Sequence, residues 1–250
     1  MGTLARVRRV GFRPTVDTEV VLLCAACTIA ILIVFIRLFL FQPFKLPSAS
    51  MMPTLLVGDY VLVSKYAYGY THSSLPFSPR LFSGRILASE PKRGDVVVFR
   101  LPRDDTVDYV KRVVGLPGDR IQLIDGVLYI NGVCIKRERV EDFSYVQHGR
   151  VIKARHWLET LPNGVTYRAI DLVDHGSYDD TQVYVVPPGH YFMLGDNLDN
   201  SIDSRVLSRM GYIPFKNLVG RVETIVFSVD SESGSAQPTI RYDRIGAAVR

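Results

Sequence analysis

Cysteine and tryptophan are scarce in this sequence, which has three cysteines and one tryptophan among 250 residues. Cys24 and Cys27 lie inside an apolar run, where we expect them to be small hydrophobic residues, and Cys134 stands alone in the rest of the chain. A small domain built on disulfides is therefore excluded. The five histidines are scattered and no Cys/His spacing matches a metal site, so we expect neither a metal nor a cofactor.

Excess charge is also scarce outside the N-terminal region. The formal net charge of +5 could by itself suggest a nucleic-acid-binding protein. However, residues 1–49 contain six basic and two acidic side chains, which leaves a net charge of only +1 for residues 50–250. A nearly neutral domain has no basic stripe for a phosphate backbone. We therefore exclude nucleic acid as a partner.

One long hydrophobic run accounts for the positive mean hydropathy of +0.12. Val20 to Phe41 is 22 positions with a single charge, Arg37. A helix of that length spans about 33 Å, enough to cross a hydrocarbon core of about 30 Å. A buried core helix would show a polar stripe, and this run has none. A cleaved signal peptide is the closer alternative, because arginines precede the run and Ser48 and Ser50 resemble a cleavage site. The run is longer than a typical signal h-region of about 7–15 residues, so we favour an uncleaved membrane anchor over residues 20–41.

The arginines before the run predict its orientation. By the positive-inside rule, residues 1–19 are expected to be a basic cytoplasmic segment, with residues 42–250 on the other side of the membrane. The four arginines are Arg6, Arg8, Arg9 and Arg13.

After the anchor the chain is predicted to be mainly β, with an antiparallel catalytic sheet and a β-rich insertion lobe. Short runs rich in β-branched and aromatic residues predict strands at 59–65, 95–100, 108–114, 165–170, 182–186, 191–194, 218–229 and 240–245. Asp125-Gly126 and Asn131-Gly132 predict hairpins that join three strands over 121–135. Residues 137–180 are more polar and irregular. We therefore expect a core of 42–120 and 182–229, a lobe of 121–181 and a C-terminal tail of 230–250.

The first of three unusual segments is Pro47–Leu55, with the sequence P-S-A-S-M-M-P-T-L. Two prolines with small hydroxyl residues between them predict a rigid, extended loop whose backbone is open to a partner. From composition alone, a membrane-proximal linker that contains serines is the alternative.

The second segment, Asp108–Asp119, contains Lys111 in the middle of a predicted strand. In an alternating strand, Lys111 shares a face with Tyr109 and Val113, which are otherwise residues of the core. A lysine at such a place is either a snorkelling edge residue or a buried functional amine.

The third segment, Gly195–Arg205, concentrates Asp, Asn and Ser residues directly after a predicted strand. An ordinary loop of Asx turns is the alternative to a functional network. A calcium loop is excluded, because no glycine follows the acidic positions and no glutamate occupies the twelfth.

In this order and after an apolar run, the three segments resemble the type I signal peptidases, a bacterial family of serine peptidases with a Ser-Lys dyad. The resemblance extends from about Phe44 to Phe227, and the sequences D-Y-V-L-V at 59–63 and K-R-G-D-V-V-V-F at 92–99 fit the family's intermediate strands. It implies a single-pass enzyme of the bacterial inner membrane that removes signal peptides after small residues, in an Ala-x-Ala pattern. Its implied partners are secretory preproteins, the lipid bilayer and, by proximity, the secretion translocon.

The resemblance also implies roles for individual residues. Ser50 matches the nucleophile and Lys111 the general base. The hydroxyl of Ser48 would complete an oxyanion hole with the backbone N–H of Ser50.

Other positions match supporting and substrate-contacting residues. Ser201 would orient the lysine amine, Asp203 and Arg205 would form a supporting salt bridge, and Met193 would pack against the lysine stem. Residues expected to contact substrate are Phe44, Leu46, Met51, Tyr109 and Val110.

The chemistry explains why such a site needs a buried lysine. A free lysine has a pKa near ~10.4, and burial among apolar side chains can lower it by ~3 units. No carboxylate should pair with the amine, because an anion would stabilise the ammonium form. We therefore expect Asp203 to pair with Arg205 and a neutral hydroxyl, that of Ser201, to contact the amine.

The sequence departs from the family at two positions. Leu198 stands where an arginine is usual. Ile202 is bulkier than the usual residue and is expected to narrow the site beside Lys111.

Two other functions stay open. One is a Ser-Lys peptidase with a narrower client, in pilin maturation or self-cleavage. The other is a membrane-anchored scaffold that binds peptide without cutting it.

Overall fold

The computed structural model describes residues 18–71, 74, 84–104, 106–147, 149–230 and 238–249. The expected cytoplasmic segment 1–19 lies almost wholly outside these ranges, as does most of the loop 231–238. The strands are β1 (Phe41–Lys45), β2 (Asp59–Ser64), β3 (Val96–Arg100), β4 (Asp108–Gly115), β5 (Arg120–Ile124), β6 (Val127–Ile130), β7 (Val133–Cys134), β8 (Lys136–Gln147), β9 (Arg150–Thr160), β10 (Thr166–Asp171), β11 (Tyr184–Val185), β12 (His190–Leu194), β13 (Ile213–Pro214), β14 (Leu218–Asp230) and β15 (Thr239–Ile240).

The N-terminal apolar run forms helix α1 (Thr18–Phe35), which continues as a π-helical turn, Ile36–Leu40. None of the side chains of α1 is buried against the rest of the protein. By length and composition the helix over Thr18–Leu40 can cross a membrane. It ends one residue earlier than expected, because Phe41 already belongs to β1 and pairs with Ser64 of β2.

Within the described part of the chain, the strands form three antiparallel sheets. The largest has the order β1-β2-β14-β3-β4-β12-β13, with β15 paired to β14. A four-stranded sheet has the order β11-β5-β6-β7, and a three-stranded sheet the order β10-β9-β8. The expectation of a mainly β protein that follows one N-terminal apolar helix is confirmed.

The large sheet has an apolar cluster on each face, which explains the uninterrupted valines of β3. Val96 and Val98 point into one cluster, together with Leu46 and Met51 from the segment that precedes β2. Val97 points into the other. The first of the three unusual segments is therefore packed on one face of this sheet.

Two expectations about secondary structure are wrong. Residues 137–160 are not irregular, because the long strands β8 and β9 pair as a hairpin; the strand expected at 165–170 is present as β10 and joins them. Charged residues and a bulge between Val140 and Phe143 disrupt the period-2 pattern that would have revealed β8. A strand over 240–245 is also absent, since β15 ends at Ile240 and a 3-10 turn, Tyr242–Arg244, follows it.

Candidate active site

Ser50 lies in a single 3-10 turn, Ala49–Met51, at the end of the extended segment that begins at Pro47. Ser48 caps this turn, and its Oγ accepts a hydrogen bond of 3.2 Å from the backbone N–H of Ser50. The third segment holds the turn from the other side. The backbone N–H of Asn197 donates to the Ser50 carbonyl at 3.1 Å, and its Nδ2 donates to the Ala49 carbonyl at 3.2 Å. The turn is therefore fixed by residues far away in the sequence.

Lys111 reaches Ser50 from β4, the strand between β3 and β12. Its cross-strand neighbour on β3 is Val97, and Val113 follows it on the same face of the strand. The side chain is buried, with 4% of the residue exposed. Its Nζ donates to Ser50 Oγ at 2.5 Å and to the Val110 carbonyl at 3.0 Å. The alternative of a snorkelling edge lysine is wrong, because the amine ends in the protein interior.

The environment of Lys111 lowers the pKa of its amine. Burial lowers its pKa from 10.5 to about 8, against the opposing effect of the nearby Asp203 and Asp196 carboxylates, and Arg205 lowers it further. At a pKa of about 8, roughly one lysine in ten is neutral at pH 7, compared with fewer than one in a thousand for a free lysine. An amine in this state can accept a proton from the hydroxyl beside it.

Both carboxylates near the amine are bound by arginines. Asp203 and Arg205 form a buried, bidentate ion pair. Arg205 Nε donates to Asp203 Oδ1 at 2.8 Å, and Arg205 Nη2 donates to Asp203 Oδ2 at 2.8 Å. Arg112 binds Asp196 in the same way, at 2.8 and 2.7 Å. Such paired geometry satisfies the oxygens of each carboxylate without the lysine. The expected Asp203–Arg205 contact is thus present.

The Arg112–Asp196 pair was not identified by sequence reasoning, although it joins all three segments. Thr54 Oγ1 donates to Asp196 Oδ2 at 2.5 Å, so that one carboxylate connects β4 to the loop after Ser50. The available signal was the residue after Lys111. In an alternating strand Arg112 points to the opposite face, and a fully buried arginine there requires an anion.

Ser201 lies beside the Ser50 turn, but the hydrogen bond to Lys111 implied by the resemblance is not formed. Within the described ranges the buried Oγ of Ser201 has no hydrogen-bond partner. Gly195 makes room for it, since a Cβ there would lie 2.3 Å from Ser201 Oγ and 2.5 Å from the Ser50 carbonyl oxygen. The Ser201 hydroxyl therefore lies next to the Ser50 turn and is free to form a hydrogen bond.

Met193 is fully buried and pairs with Val113 across β12 and β4. Residues at paired positions share a face, so Met193 lies in the apolar cluster on the face from which Lys111 projects. Tyr109 is a partly buried member of the same cluster. Tyr109, Val113 and Met193 therefore lie together on the face from which Lys111 projects.

A cleft of about 740 Å³ opens over Ser50, Lys111 and Ser201. All five residues expected to contact substrate line it, namely Phe44, Leu46, Met51, Tyr109 and Val110. Ile202 also lines the cleft and is 43% exposed, whereas Leu198 is buried and gives its carbonyl to Arg205. Sequence reasoning did not identify the additional lining residues Tyr178 and Val206.

A metal site is not visible in the structure: within the described ranges, His, Cys, Asp and Glu side chains form no group of three or more that could hold an ion.

Comparisons of this chain with known proteins point to one family. The family model described as signal peptidase, peptidase S26, matches residues 18–227. The chain is 47% identical over 201 residues to signal peptidase I of Rickettsia typhi, which covers 77% of this chain and 74% of the relative. It is 45% identical over 212 residues to signal peptidase I of Rickettsia akari, which covers 81% and 78%.

A crystal structure of a signal peptidase I from Enterococcus faecalis is 26% identical and covers 53% of this chain and 97% of that chain, with a TM-score of 0.32. This overall superposition is weak, so the assignment rests on the sequence matches. The family model covers most of the chain, and the Rickettsia enzymes are close relatives over most of their length. The chain therefore belongs to the signal peptidase family, peptidase S26.

Proposed function

We propose that this protein is a membrane-anchored serine endopeptidase that removes signal peptides from exported preproteins, with Ser50 as nucleophile and Lys111 as general base. The observation that carries the proposal is the contact of 2.5 Å between Lys111 Nζ and Ser50 Oγ, made by an amine that burial brings to a pKa of about 8. A Ser-Lys pair of this kind can activate a hydroxyl without histidine or metal.

The reaction divides into acylation and deacylation. The neutral amine of Lys111 takes the proton of Ser50 Oγ as the oxygen attacks the carbonyl carbon before the cut. The ammonium then gives that proton to the leaving amine, and the peptide bond breaks to leave an ester on Ser50. Lys111 next takes a proton from a water molecule, whose oxygen attacks the ester. The proton finally returns to Ser50 Oγ, which restores the starting state.

The tetrahedral intermediates need hydrogen-bond donors for their negative oxygen. We assign this role to the backbone N–H of Ser50 and the hydroxyl of Ser48, which converge at the 3-10 turn. In the free enzyme the N–H donates to Ser48 Oγ, so a substrate oxygen must take over that bond while Ser48 turns its own O–H toward it. Loss of one such donor typically costs ~10²–10³ in kcat.

Ser201 is assigned to the lysine amine during the reaction. Once Ser50 Oγ is acylated, Lys111 Nζ loses its partner at 2.5 Å, and a free buried hydroxyl beside the turn can replace it. A neutral partner holds the amine in place without stabilising its proton, as a carboxylate would. Arg205 supports this arrangement, because it binds the carboxylate of Asp203.

Substrate recognition is proposed to occur by strand addition along the cleft. β1 is an edge strand of the large sheet. In β4, residues 108–111 lie beyond the part of the strand that pairs with β12, so their backbone is unpaired by β12. An extended peptide can form main-chain hydrogen bonds with such edges, while side-chain pockets select alternate residues. Apolar walls at Phe44, Leu46 and Met51 favour small residues before the cut, which suits an Ala-x-Ala pattern.

The proposed location is the bacterial inner membrane, with residues 1–19 in the cytoplasm and the catalytic domain in the periplasm. The exposed apolar helix and the four preceding arginines support this orientation. β1 follows the helix directly, and the cleft begins at Phe44 of that strand. The lipid bilayer then surrounds the anchor helix. Preproteins inserted in the membrane near the secretion translocon are the substrates that the cleft can bind.

Cleavage of a preprotein with an Ala-x-Ala site tests the proposal. Full-length protein in detergent should cut it, whereas Ser50→Ala and Lys111→Ala should not. Matched controls are Ser144→Ala and Lys92→Ala, which change exposed residues of the same types. If both dyad variants cut as well as the wild type, the assignment of the dyad is wrong. If the wild type cuts no preprotein, a narrower client or a peptide-binding scaffold is the better description.

A further inference from the structure

Residues 238–249 lie beyond the region matched by the family model, which ends at residue 227. This segment runs along β14 on the edge that β2 does not use. β15 pairs with Val229 and Asp230, and further on the N–H of Ile225 donates to the Ala247 carbonyl at 3.0 Å. The segment therefore has a fixed path along the large sheet, which places two of its arginines near the loop after Ser50.

Those arginines bind a carboxylate that is fully buried at the start of β2. Arg244 donates to both oxygens of Asp59, at 3.1 Å from Nε to Oδ1 and 2.6 Å from Nη2 to Oδ2. Arg241 adds an ion pair at 3.6 Å. The same carboxylate accepts from Ser228 Oγ at 2.6 Å and from the backbone N–H of Leu56 at 2.8 Å. A buried carboxylate needs such cations, because an unpaired charge in the interior is strongly unfavourable.

The arginines also bind the backbone of the loop that follows the nucleophile. Nη2 of Arg244 donates to the Thr54 carbonyl at 3.0 Å, and Nη2 of Arg241 donates to the Val57 carbonyl at 2.6 Å. The loop continues directly from the Ser50 turn, as the hydrogen bond of 2.9 Å from the Leu55 N–H to the Met51 carbonyl shows.

Thr54 is held from two directions. Its carbonyl accepts from Arg244 of the C-terminal segment, and its Oγ1 donates to Asp196 of the third segment. The C-terminal segment and the catalytic loops thus meet at one residue, four positions after Ser50.

We infer that Arg244 and Arg241 are positioning residues that hold the loop 54–59 in place and thereby set the distance between Ser50 Oγ and Lys111 Nζ. This inference rests on the proposed function and extends it to the C-terminal segment. A displacement of about 1 Å in a reacting group can cost about 10²-fold in rate. The arginines touch neither substrate nor reacting atoms, so they act through Asp59 and the loop backbone.

Kinetics of full-length variants test the inference. Arg244→Ala should lower kcat by about 10- to 100-fold while KM stays within about twofold, because the arginine positions the nucleophile and does not bind substrate. Arg244→Lys should recover part of the lost kcat, since lysine restores the positive charge but not the bidentate hydrogen bonding of the guanidinium. The matched control is Tyr242→Ala, a change of a 74% exposed residue in the same turn, which should behave as the wild type. Arg241→Ala is a milder second variant in case Arg244→Ala does not fold.

Hydrogen exchange gives a readout that does not depend on cleavage. In Arg244→Ala the amides of Leu55 and Leu56 should exchange faster, whereas that of Val98 in β3 should not change. A purely structural role would lower the Tm and leave kcat and the Leu55 and Leu56 exchange rates unchanged, and this result would overturn the inference. If the wild type cuts no preprotein, the proposed function fails, but the exchange experiment still decides whether the arginines hold the loop.

Discussion

Replacement of Lys111 by methionine should abolish cleavage and at the same time stabilise the fold at neutral pH. The buried amine has a pKa of about 8 instead of 10.5, and this shift means that the charged form costs the folded state about 3 kcal/mol. Methionine has a similar length and no charge. The variant loses the hydrogen bonds to Ser50 Oγ and to the Val110 carbonyl, each of which contributes about 1 kcal/mol. A net stabilisation of about 1 kcal/mol is expected at pH 7.

The pH dependence of this difference follows from the direction of the shift. Because the folded-state pKa lies below the unfolded one, the unfolded chain binds the extra proton between pH 8 and 10.5. Stability of the wild type therefore rises with pH through this window, and the cost of burying the lysine is fully present below pH 8. The advantage of Lys111→Met should disappear near pH ~9 and reverse by pH ~10.5, where only the lost hydrogen bonds remain.

Urea unfolding of full-length protein in detergent, measured at several pH values from 7 to 10.5, checks this prediction. Lys92→Met is the matched control, because it makes the same substitution at an exposed lysine away from the cleft. A difference in the free energy of unfolding between Lys111→Met and wild type that does not vary with pH would contradict this prediction. It would show that the Lys111 amine does not titrate at a lowered pKa in the folded protein.

Two further predictions concern the oxyanion hole and the cleft. Ser48→Ala should lower kcat by about 10²-fold or more with little change in KM, because the lost donor acts on the transition state. Steady-state kinetics check this against Ser144→Ala, and an unchanged kcat would remove Ser48 from the hole. Ile202→Ala should widen the cleft and raise kcat/KM for a preprotein with valine before the cut, relative to alanine, by about 10-fold. An unchanged ratio would mean that Ile202 does not contact that residue.

Much of the architecture could be predicted from the sequence, because local patterns specify it directly. The run of β-branched residues at 95–100 predicted the strand β3, and Asp125-Gly126 and Asn131-Gly132 predicted tight hairpins. The position of Lys111 on the apolar face of a predicted strand left two alternatives, a snorkelling edge lysine and a buried amine, and the structure shows the buried amine beside Ser50. These features depend on the period of a strand or on the chemistry of a turn, and both can be recognised in a few residues.

Other features depend on distant partners and gave no local signal. The hairpin of β8 and β9 carries charges on both faces, so it lacks the alternation that identifies a strand. The arginines near the C-terminus suggested a basic strand, whereas they turn inward to Asp59, about 180 positions earlier in the chain. The Arg112–Asp196 pair depends on the folding of two separate segments. The missing hydrogen bond from Lys111 to Ser201 depends on side-chain conformation, which residue type does not fix.

The proposed catalysis requires a lysine that acts as a base near neutral pH, and a pH–rate profile tests this requirement directly. For wild-type cleavage of an Ala-x-Ala preprotein, kcat/KM should rise about tenfold per pH unit below pH 8 and level off above it, with an apparent pKa of about 8. A profile in which no group titrates below pH 10 would contradict the assignment of Lys111 as the general base.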